Sequence, residues 1–211
     1  VDLKTGRPRE LAGMDYRDGT AQIKPGPDGA HNWHPMSFSP QTGLVYFPVQ
    51  EIRIAYRHEE DYEYDPRRWN LGLHIVGGGI GDPPGYLGAW DPAKQSRVWE
   101  VPRPIVWNGG VLSTGGGLVF QGTGAGTFNA HHAQTGEVLW STFVGTGIIA
   151  APITFQIDGE QYVTVAAGWG GAYGLRSPPG GEAAEYEQAG RLLTYKLNGT
   201  DKLPELKRRP K

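Results

Sequence analysis

Two segments of this chain repeat each other at a fixed distance, and that recurrence limits the folds open to it more than any other feature. Residues 89–99 and 130–140 each run from Ala to Trp in ten steps, and the closing residues, Trp99 and Trp140, lie 41 positions apart. Each segment reads as a short β-rich run, a turn, and a second run ending on an indole. The turns are Asp91-Pro92-Ala93-Lys94-Gln95-Ser96 and His132-Ala133-Gln134-Thr135-Gly136. Asp2-Leu3-Lys4-Thr5-Gly6-Arg7 carries the turn of a third copy. A period near 40 with about four short strands per unit is the pattern of propeller blades. Composition agrees: 33 Gly and 17 Pro among 211 residues supply many turns, while 7 Trp, 10 Tyr and 6 Phe keep the chain out of the disordered class. The expectation is an all-β chain of about three four-stranded blades.

The units can be bounded. Residues 1–10 read as the tail of a preceding blade, and 33–103 as a blade holding an insertion at 50–85. The blade at 105–145 has strands predicted at 110–114, 118–123, 127–132 and 137–144. The final blade, 150–198, is incomplete with three strands, two of them joined at Asp158-Gly159, a strong two-residue hairpin turn. A basic, Pro-containing tail fills 199–211. The insertion carries the acidic-aromatic run Glu59-Glu60-Asp61-Tyr62-Glu63-Tyr64-Asp65 and the triplet Gly77-Gly78-Gly79. A loop this long is expected to cover or shape a site. An open stack of blades leaves apolar faces wet, each large side chain forfeiting roughly 1.5–3 kcal/mol. Further blades, or a second copy, are expected to cover them.

Several functions are excluded or unsupported. With 20 basic and 22 acidic side chains the net charge is −2, which gives no reason to expect nucleic acid or an anionic membrane as partner. No apolar run approaches the ~20 residues of a membrane helix, and residues 1–6 have no signal-peptide character. The absence of cysteine removes disulfides, thiolate zinc sites, a thiol nucleophile and a haem-attachment motif. Gly145-Thr146-Gly147-Ile148-Ile149-Ala150 formally fits a dinucleotide-binding loop, but Pro152 and β-branched neighbours deny the helix that loop requires. No phosphate loop and no serine-hydrolase elbow is present. His31, His34, His131 and His132 read as surface or turn residues, the run at 59–65 lacks the spacing of a calcium loop, and Asn198-Gly199-Thr200 reads as a turn. No residue is assigned as catalytic or as a metal ligand.

Three further segments carry a resemblance. They are His31-Asn32-Trp33-His34-Pro35-Met36 with Pro40 to Tyr46, Trp107-Asn108-Gly109-Gly110-Val111-Leu112 with Gly117 to Gly122, and Gly147-Ile148-Ile149-Ala150-Ala151-Pro152 through Asp158-Gly159 to Gly168-Trp169-Gly170-Gly171. Together with the Ala-to-Trp repeats, they resemble the C-terminal part of the quinoprotein alcohol dehydrogenases, which carry pyrroloquinoline quinone (PQQ) in an eight-bladed propeller with tryptophan-docking repeats. The copy at 89–99 keeps Ala89, Asp91 and Trp99. The copy at 130–140 keeps Ala130, Thr135, Gly136 and Trp140 but has His132 where the family has Asp.

The resemblance implies a partial eight-bladed propeller with the planar quinone near its axis, at the starts of inner strands. It carries cofactor contact to Asn32, Trp33, Trp107, Asn108 and Ile149, and a docking role to Trp99 and Trp140. An indole suits a flat ligand, and an amide can both donate to and accept from its carbonyls and carboxylates. The implied activity is oxidation of a primary alcohol to an aldehyde in the periplasm. The calcium ligands, the catalytic Asp and any cytochrome domain with haem c lie outside this chain, so the chain alone is expected to be inactive. The implied partners are the remaining blades or a second copy, the alcohol, and a cytochrome c acceptor. A rival reading is a non-enzymatic scaffold like the PQQ-like-repeat proteins of outer-membrane assembly. A third is a quinoprotein acting on a polymeric or heterocyclic substrate.

Overall fold

A computed structural model describes residues 1–17, 19–175 and 177–210. The described residues are almost entirely strand and turn, and every strand register resolved is antiparallel. The chain forms two compact units, Val1–Ala30 with Glu51–Gly81, and His31–Gln50 with Asp82–Lys211. The first sheet holds β1 (Thr20–Ile23), β2 (Ser37–Ser39), β3 (Leu44–His58), β4 (Leu73–Asp91) and β5 (Ser96–Arg103), in the order β1-β3-β4-β5 with β2 also paired to β3. The second sheet runs β6 (Val111–Ser113), β7 (Leu118–Gly122), β8 (Thr127–His132), β9 (Val138–Phe143). The third runs β10 (Ile153–Ile157), β11 (Glu160–Ala167), β12 (Arg191–Lys196). One short helix, α1 (Gly171–Gly174), and a 3-10 turn at Gly181–Glu185 interrupt the strands.

Local chemistry sets the turns. Between β4 and β5 the Asp91 carboxylate accepts from the backbone N–H groups of Ala93 and Lys94, both at 3.0 Å. In the matching turn after β8 the His132 imidazole takes the place of that carboxylate, its Nδ1 lying 3.2 Å from the Thr135 hydroxyl. Asp158 and Gly159 both adopt positive φ (51° and 81°), and their hairpin sets Ile157 opposite Glu160. That is the geometry a two-residue Asp-Gly loop favours, because its twist matches the strands. Pro152 is followed by β10, not by the helix a dinucleotide loop needs.

In the second unit the sheets pack through two apolar layers. Leu44, Tyr46, Leu87 and Ala89 of the first sheet meet Val111, Val119 and Ala133, with Trp99 and Val101 alongside. Phe128, Val144 and Ile148 meet Val163, Val165, Ala167 and Leu193. The repeat works as a clasp between sheets. Trp99 Nε1–H donates to the Ala133 carbonyl at 3.1 Å, and its ring lies over Gly136 at the turn after β8. Trp140, the equivalent position one repeat later, is 41% exposed and packs against Phe128 and Tyr195.

The sequence is misleading over 50–85. Much of that stretch is strand, because β3 continues to His58 and β4 begins at Leu73. Ile52 and Ile54 alternate with Glu51 and Arg53 along β3, and β1 pairs with its far end, Ala21 opposite Tyr56. Gly78 and Gly79 sit against the Arg53 carbonyl and side chain, where a Cβ would stand 2.9 Å from each. The acidic run is drawn together by its own neighbours: Arg68 binds Glu59 and the Glu63 carbonyl, and Arg67 binds Asp65.

Candidate functional site

Three chain segments enter β2, β6 and β10, and the structure brings them together. The Val111 N–H donates to the Pro35 carbonyl at 3.0 Å, and the Ser37 hydroxyl accepts from the Ser113 N–H at 2.8 Å. Gly110 is where all three meet: a Cβ there would stand 2.7 Å from Pro35 Cδ and 2.9 Å from Ala151 Cβ. Gly109 is equally confined: a Cβ there would stand 2.9–3.0 Å from the carbonyls of Ile148, Ala150 and Gly122. Glycine is required at both for this approach of backbones.

Around that junction the aromatic residues form a layered group. Trp107 is 3% exposed, and the Tyr173 ring lies flat on it at 4.7 Å with an interplanar angle of 6°. His34 meets the same indole edge-on at 4.7 Å, and Trp33 does so at 5.6 Å and 61°. Trp169 stands edge-on to Tyr173, fixed by its Nε1–H donating to the Ser177 carbonyl at 2.8 Å. Trp33 differs from the rest. Its φ is +58°, and the residue is 64% exposed. Burial lowers the His34 pKa, so the imidazole beside Trp107 is neutral at ordinary pH.

The five sequence-derived positions fare differently. Trp33 and Trp107 come into contact. Asn108 is buried with its amide committed to backbone: Nδ2 donates to the carbonyls of Ile105 (2.9 Å) and Val106 (3.3 Å), and Oδ1 accepts from Gly124 N–H (3.3 Å). Asn108 therefore holds the entry to β6 in shape. Asn32 is half-buried, and its carbonyl accepts the His34 N–H at 2.7 Å. Ile149 is half-buried beside the fully buried Ile148. Sequence reasoning did not single out Tyr173 or His34 as partners of Trp107. Tyr173 follows the quoted Gly168-Trp169-Gly170-Gly171 motif by two residues, and that proximity was its only signal.

A buried polar chain connects this junction to the clasp. Arg103 is 6% exposed, and its Nε and Nη2 donate to Gln121 Oε1 at 2.9 and 2.7 Å. Nη2 also donates to His131 Nε2 at 3.0 Å, and His131 Nδ1–H donates to the Gly136 carbonyl at 2.9 Å. Gln121 Nε2 in turn donates to the Gly109 carbonyl at 3.0 Å. Burial, and then the Arg103 charge, press the His131 pKa down to about 4, and burial brings Arg103 to about 10. Among the described residues no three His, Asp or Glu side chains gather as a metal site.

Stacked antiparallel sheets clasped by a repeated tryptophan make this a β-propeller chain. Residues 82–163 match the PQQ family model described as "Glucose/ethanol/alcohol dehydrogenase, beta-propeller domain". Quinohemoprotein alcohol dehydrogenase ADH IIB of Pseudomonas putida is 45% identical over 97% of this chain and 30% of its own length. The 1-butanol dehydrogenase (cytochrome c) of Thauera butanivorans is 39% identical over 95% of the chain and 30% of its own. The crystal structure of quinohemoprotein alcohol dehydrogenase from Comamonas testosteroni superposes with a TM-score of 0.84 at 41% identity, over 96% of this chain and 31% of that one. The chain belongs to the PQQ-dependent alcohol dehydrogenase family, and spans about 30% of the length of these curated relatives.

Proposed function

We propose that this chain forms one wall of a PQQ pocket in a dehydrogenase that oxidises a primary alcohol to an aldehyde. The observation that carries the reading is Trp33. A bulky residue in the left-handed region costs of order 1–3 kcal/mol, and Trp33, 64% exposed, recovers little of that by burial. Strain of this kind persists where surrounding structure enforces it for a purpose. The purpose that fits is display of a flat aromatic surface at the mouth of the strand junction, backed by the rigid stack of Trp107 on Tyr173.

The residues present fit a planar quinone. The open indole of Trp33 offers a stacking face, the half-buried Asn32 and Ile149 border the same strand starts, and Trp107 and Asn108 keep that border in place. PQQ held by these residues would supply a two-electron acceptor for alcohol oxidation. The part of this chain is to position and to exclude water: Trp107, with Tyr173 and His34 against it, closes the floor to solvent. Neither the base nor a calcium cage is assigned to this chain, and no step is routed through them.

The partners and compartment belong to the same proposal. Ile153, Ile157 and Leu192 of the third sheet are 59%, 54% and 75% exposed. Further propeller blades, or a second copy, would cover them. Names of relatives support a cytochrome c acceptor and a haem elsewhere in the protein, and the periplasm is the compartment proposed with them. Among the described residues no helix is long and apolar enough to cross a membrane. The non-enzymatic scaffold reading is not favoured, since relatives at 39–45% identity are named as alcohol dehydrogenases.

The test is a titration of the protein at its native length with PQQ and calcium, followed by tryptophan fluorescence and the quinone absorption band. Saturable quenching is expected, with dye-linked oxidation of a primary alcohol in the native-length protein and none from the 211-residue chain by itself. A protein that neither quenches nor perturbs the quinone spectrum is a scaffold instead.

A further inference from the structure

Gly145-Thr146-Gly147, the start of the run that formally fits a dinucleotide loop, has a different use in the structure. Three parts of the chain come to rest on these consecutive residues. Trp169 lies on Gly147, where a Cβ would stand 2.4 Å from its ring. The hydroxyl of the buried Thr146 donates to Gln188 Oε1 at 2.8 Å. Leu206 lies on Gly145, whose φ is +76° and whose Cβ would stand 2.7 Å from the leucine Cδ2.

Two of those parts are the ends of one loop. β11 and β12 pair Ala167 with Arg191, so residues 168–190 leave the third sheet and return to it at the same place. A loop of this length in a compact fold is uncommon unless it serves a site. This one carries Tyr173 onto Trp107. Its first part is fixed by Trp169, which stands edge-on to Tyr173 and bonds to the Ser177 carbonyl. Its middle crosses the entry to β6, where a Cβ on Gly180 would stand 2.5 Å from Ile105 Cγ2. Its last part turns on itself, Gln188 Nε2 donating to the carbonyls of Ala183 and Tyr186 at 2.7 and 2.9 Å.

The C-terminal tail lies along that last part. The Glu187 N–H donates to the Lys207 carbonyl at 2.8 Å and the Arg209 N–H to the Glu185 carbonyl at 2.9 Å, with Tyr186 and Arg208 paired antiparallel between them. The Arg208 guanidinium pairs with Glu185 and stands 5.1 Å over the Tyr186 ring, and Arg209 Nε donates to the Tyr186 carbonyl at 2.9 Å. Leu206 on Gly145 and Leu203 against the second apolar layer anchor the tail to the sheets. Residues 203–209 are thus a strap across the loop.

We propose that this strap is a positioning element of the Trp33–Trp107 site: it clamps the 168–190 loop so that Tyr173 stays flat on Trp107 and Trp33 keeps a rigid backing. This rests on the quinone reading and deepens it. The strap touches no ligand and acts through the loop. A released loop regains conformational freedom, and a ligand that needs it ordered must then supply that order on binding, which lowers its affinity.

The test uses native-length protein and reads two quantities together: hydrogen exchange of the 168–190 backbone without cofactor, and PQQ affinity by tryptophan quenching with calcium present. Leu206→Ala and, at an exposed position of the strap, Arg208→Ala are each expected to speed exchange across 168–190 and to weaken PQQ binding by about fivefold. Arg208→Ala reports even if Leu206→Ala does not fold. Leu206→Met, which refills the seat on Gly145, is expected to restore most of the affinity. Gly159→Ala, in a hairpin turn outside both loop and strap, is expected to lower the melting temperature with neither effect, which separates positioning from a general loss of stability. Faster exchange with unchanged quinone affinity overturns the proposal, because the loop then has no bearing on the site. Weaker binding with unchanged exchange overturns it equally, because the strap then does not act through the loop, and so does an equal affinity loss in Gly159→Ala. Wild-type protein that fails to quench overturns the quinone reading and this proposal with it, an outcome visible before any variant is made.

Discussion

A tryptophan held at φ +58° with its ring in solvent and a tryptophan pressed beneath a tyrosine answer to different constraints, although they touch. In the proposed reading Trp33 displays its ring to the quinone. Changing it to Gly removes the backbone penalty, because glycine enters the left-handed region freely. The expected result for Trp33→Gly is a melting temperature equal to or above wild type, together with a loss of quinone affinity of tenfold or more by fluorescence titration. Trp107 is a packing residue, buried against Tyr173 and His34. Trp107→Ala is expected to cost about 3–5 kcal/mol in denaturant unfolding, the range for emptying a buried aromatic site. Sequence alone made these two residues equivalent, each an indole at the start of an inner strand. Backbone angle and burial separate them, and neither is written in a local motif.

At the scale of elements, the repeat was legible because its function is local in sequence. The residues that make a docking turn lie within eleven positions, and the partner surface recurs one period later. Trp99 lies over Gly136 and bonds to Ala133, and the glycine is required twice: its φ is +77°, and a Cβ would stand 2.7 Å from the Trp99 ring. Gly159 has a similar φ of +81° but nothing within 4 Å of its missing Cβ. Gly159→Ala is thus expected to cost only the backbone term, about 1 kcal/mol. Gly136→Ala adds displacement of the indole and is expected to cost about 2–4 kcal/mol, with a change in tryptophan emission that Gly159→Ala lacks. Equal losses for the two variants would show that the clasp carries no energy. The long hairpin of β3 and β4 was not legible for the opposite reason. Its strands are interrupted in sequence by an acidic run and a glycine triplet, and only pairing with β1 and the seating of Arg53 against Gly78 and Gly79 make the stretch regular.

For the molecule as a whole, 20 basic and 22 acidic side chains nearly cancel, so its response to mild acid falls to a few buried groups rather than to net charge. His131 dominates. It is fully buried, it donates to Gly136, and its other nitrogen accepts from Arg103, an arrangement that only the neutral ring can satisfy. Its folded pKa is about 4, against about 6.5 for an unfolded histidine. Between those values the unfolded chain binds a proton that the folded chain refuses, so stability rises with pH across the window. The contribution is intact above pH ~6.5, declines as pH falls, and is gone below the folded pKa; the full span is worth about 3 kcal/mol. His34, lowered in the same direction by burial, adds to the trend. Carboxylates held low by backbone N–H groups and basic neighbours, such as Asp91 and Glu160, lose their contribution only as pH falls below the ordinary carboxylate range, at the acid end of this window. Urea unfolding at about pH 7.5 and about pH 4.5 is therefore expected to show a large loss of stability in the wild type. His131→Gln, whose amide can still accept from Arg103 but does not titrate, is expected to be less stable at the higher pH and to lose much less on acidification. A variant that keeps the wild-type slope would move the acid response away from the Arg103–His131 pair, and with it the idea that this chain ties the docking turn to the Gly109 junction.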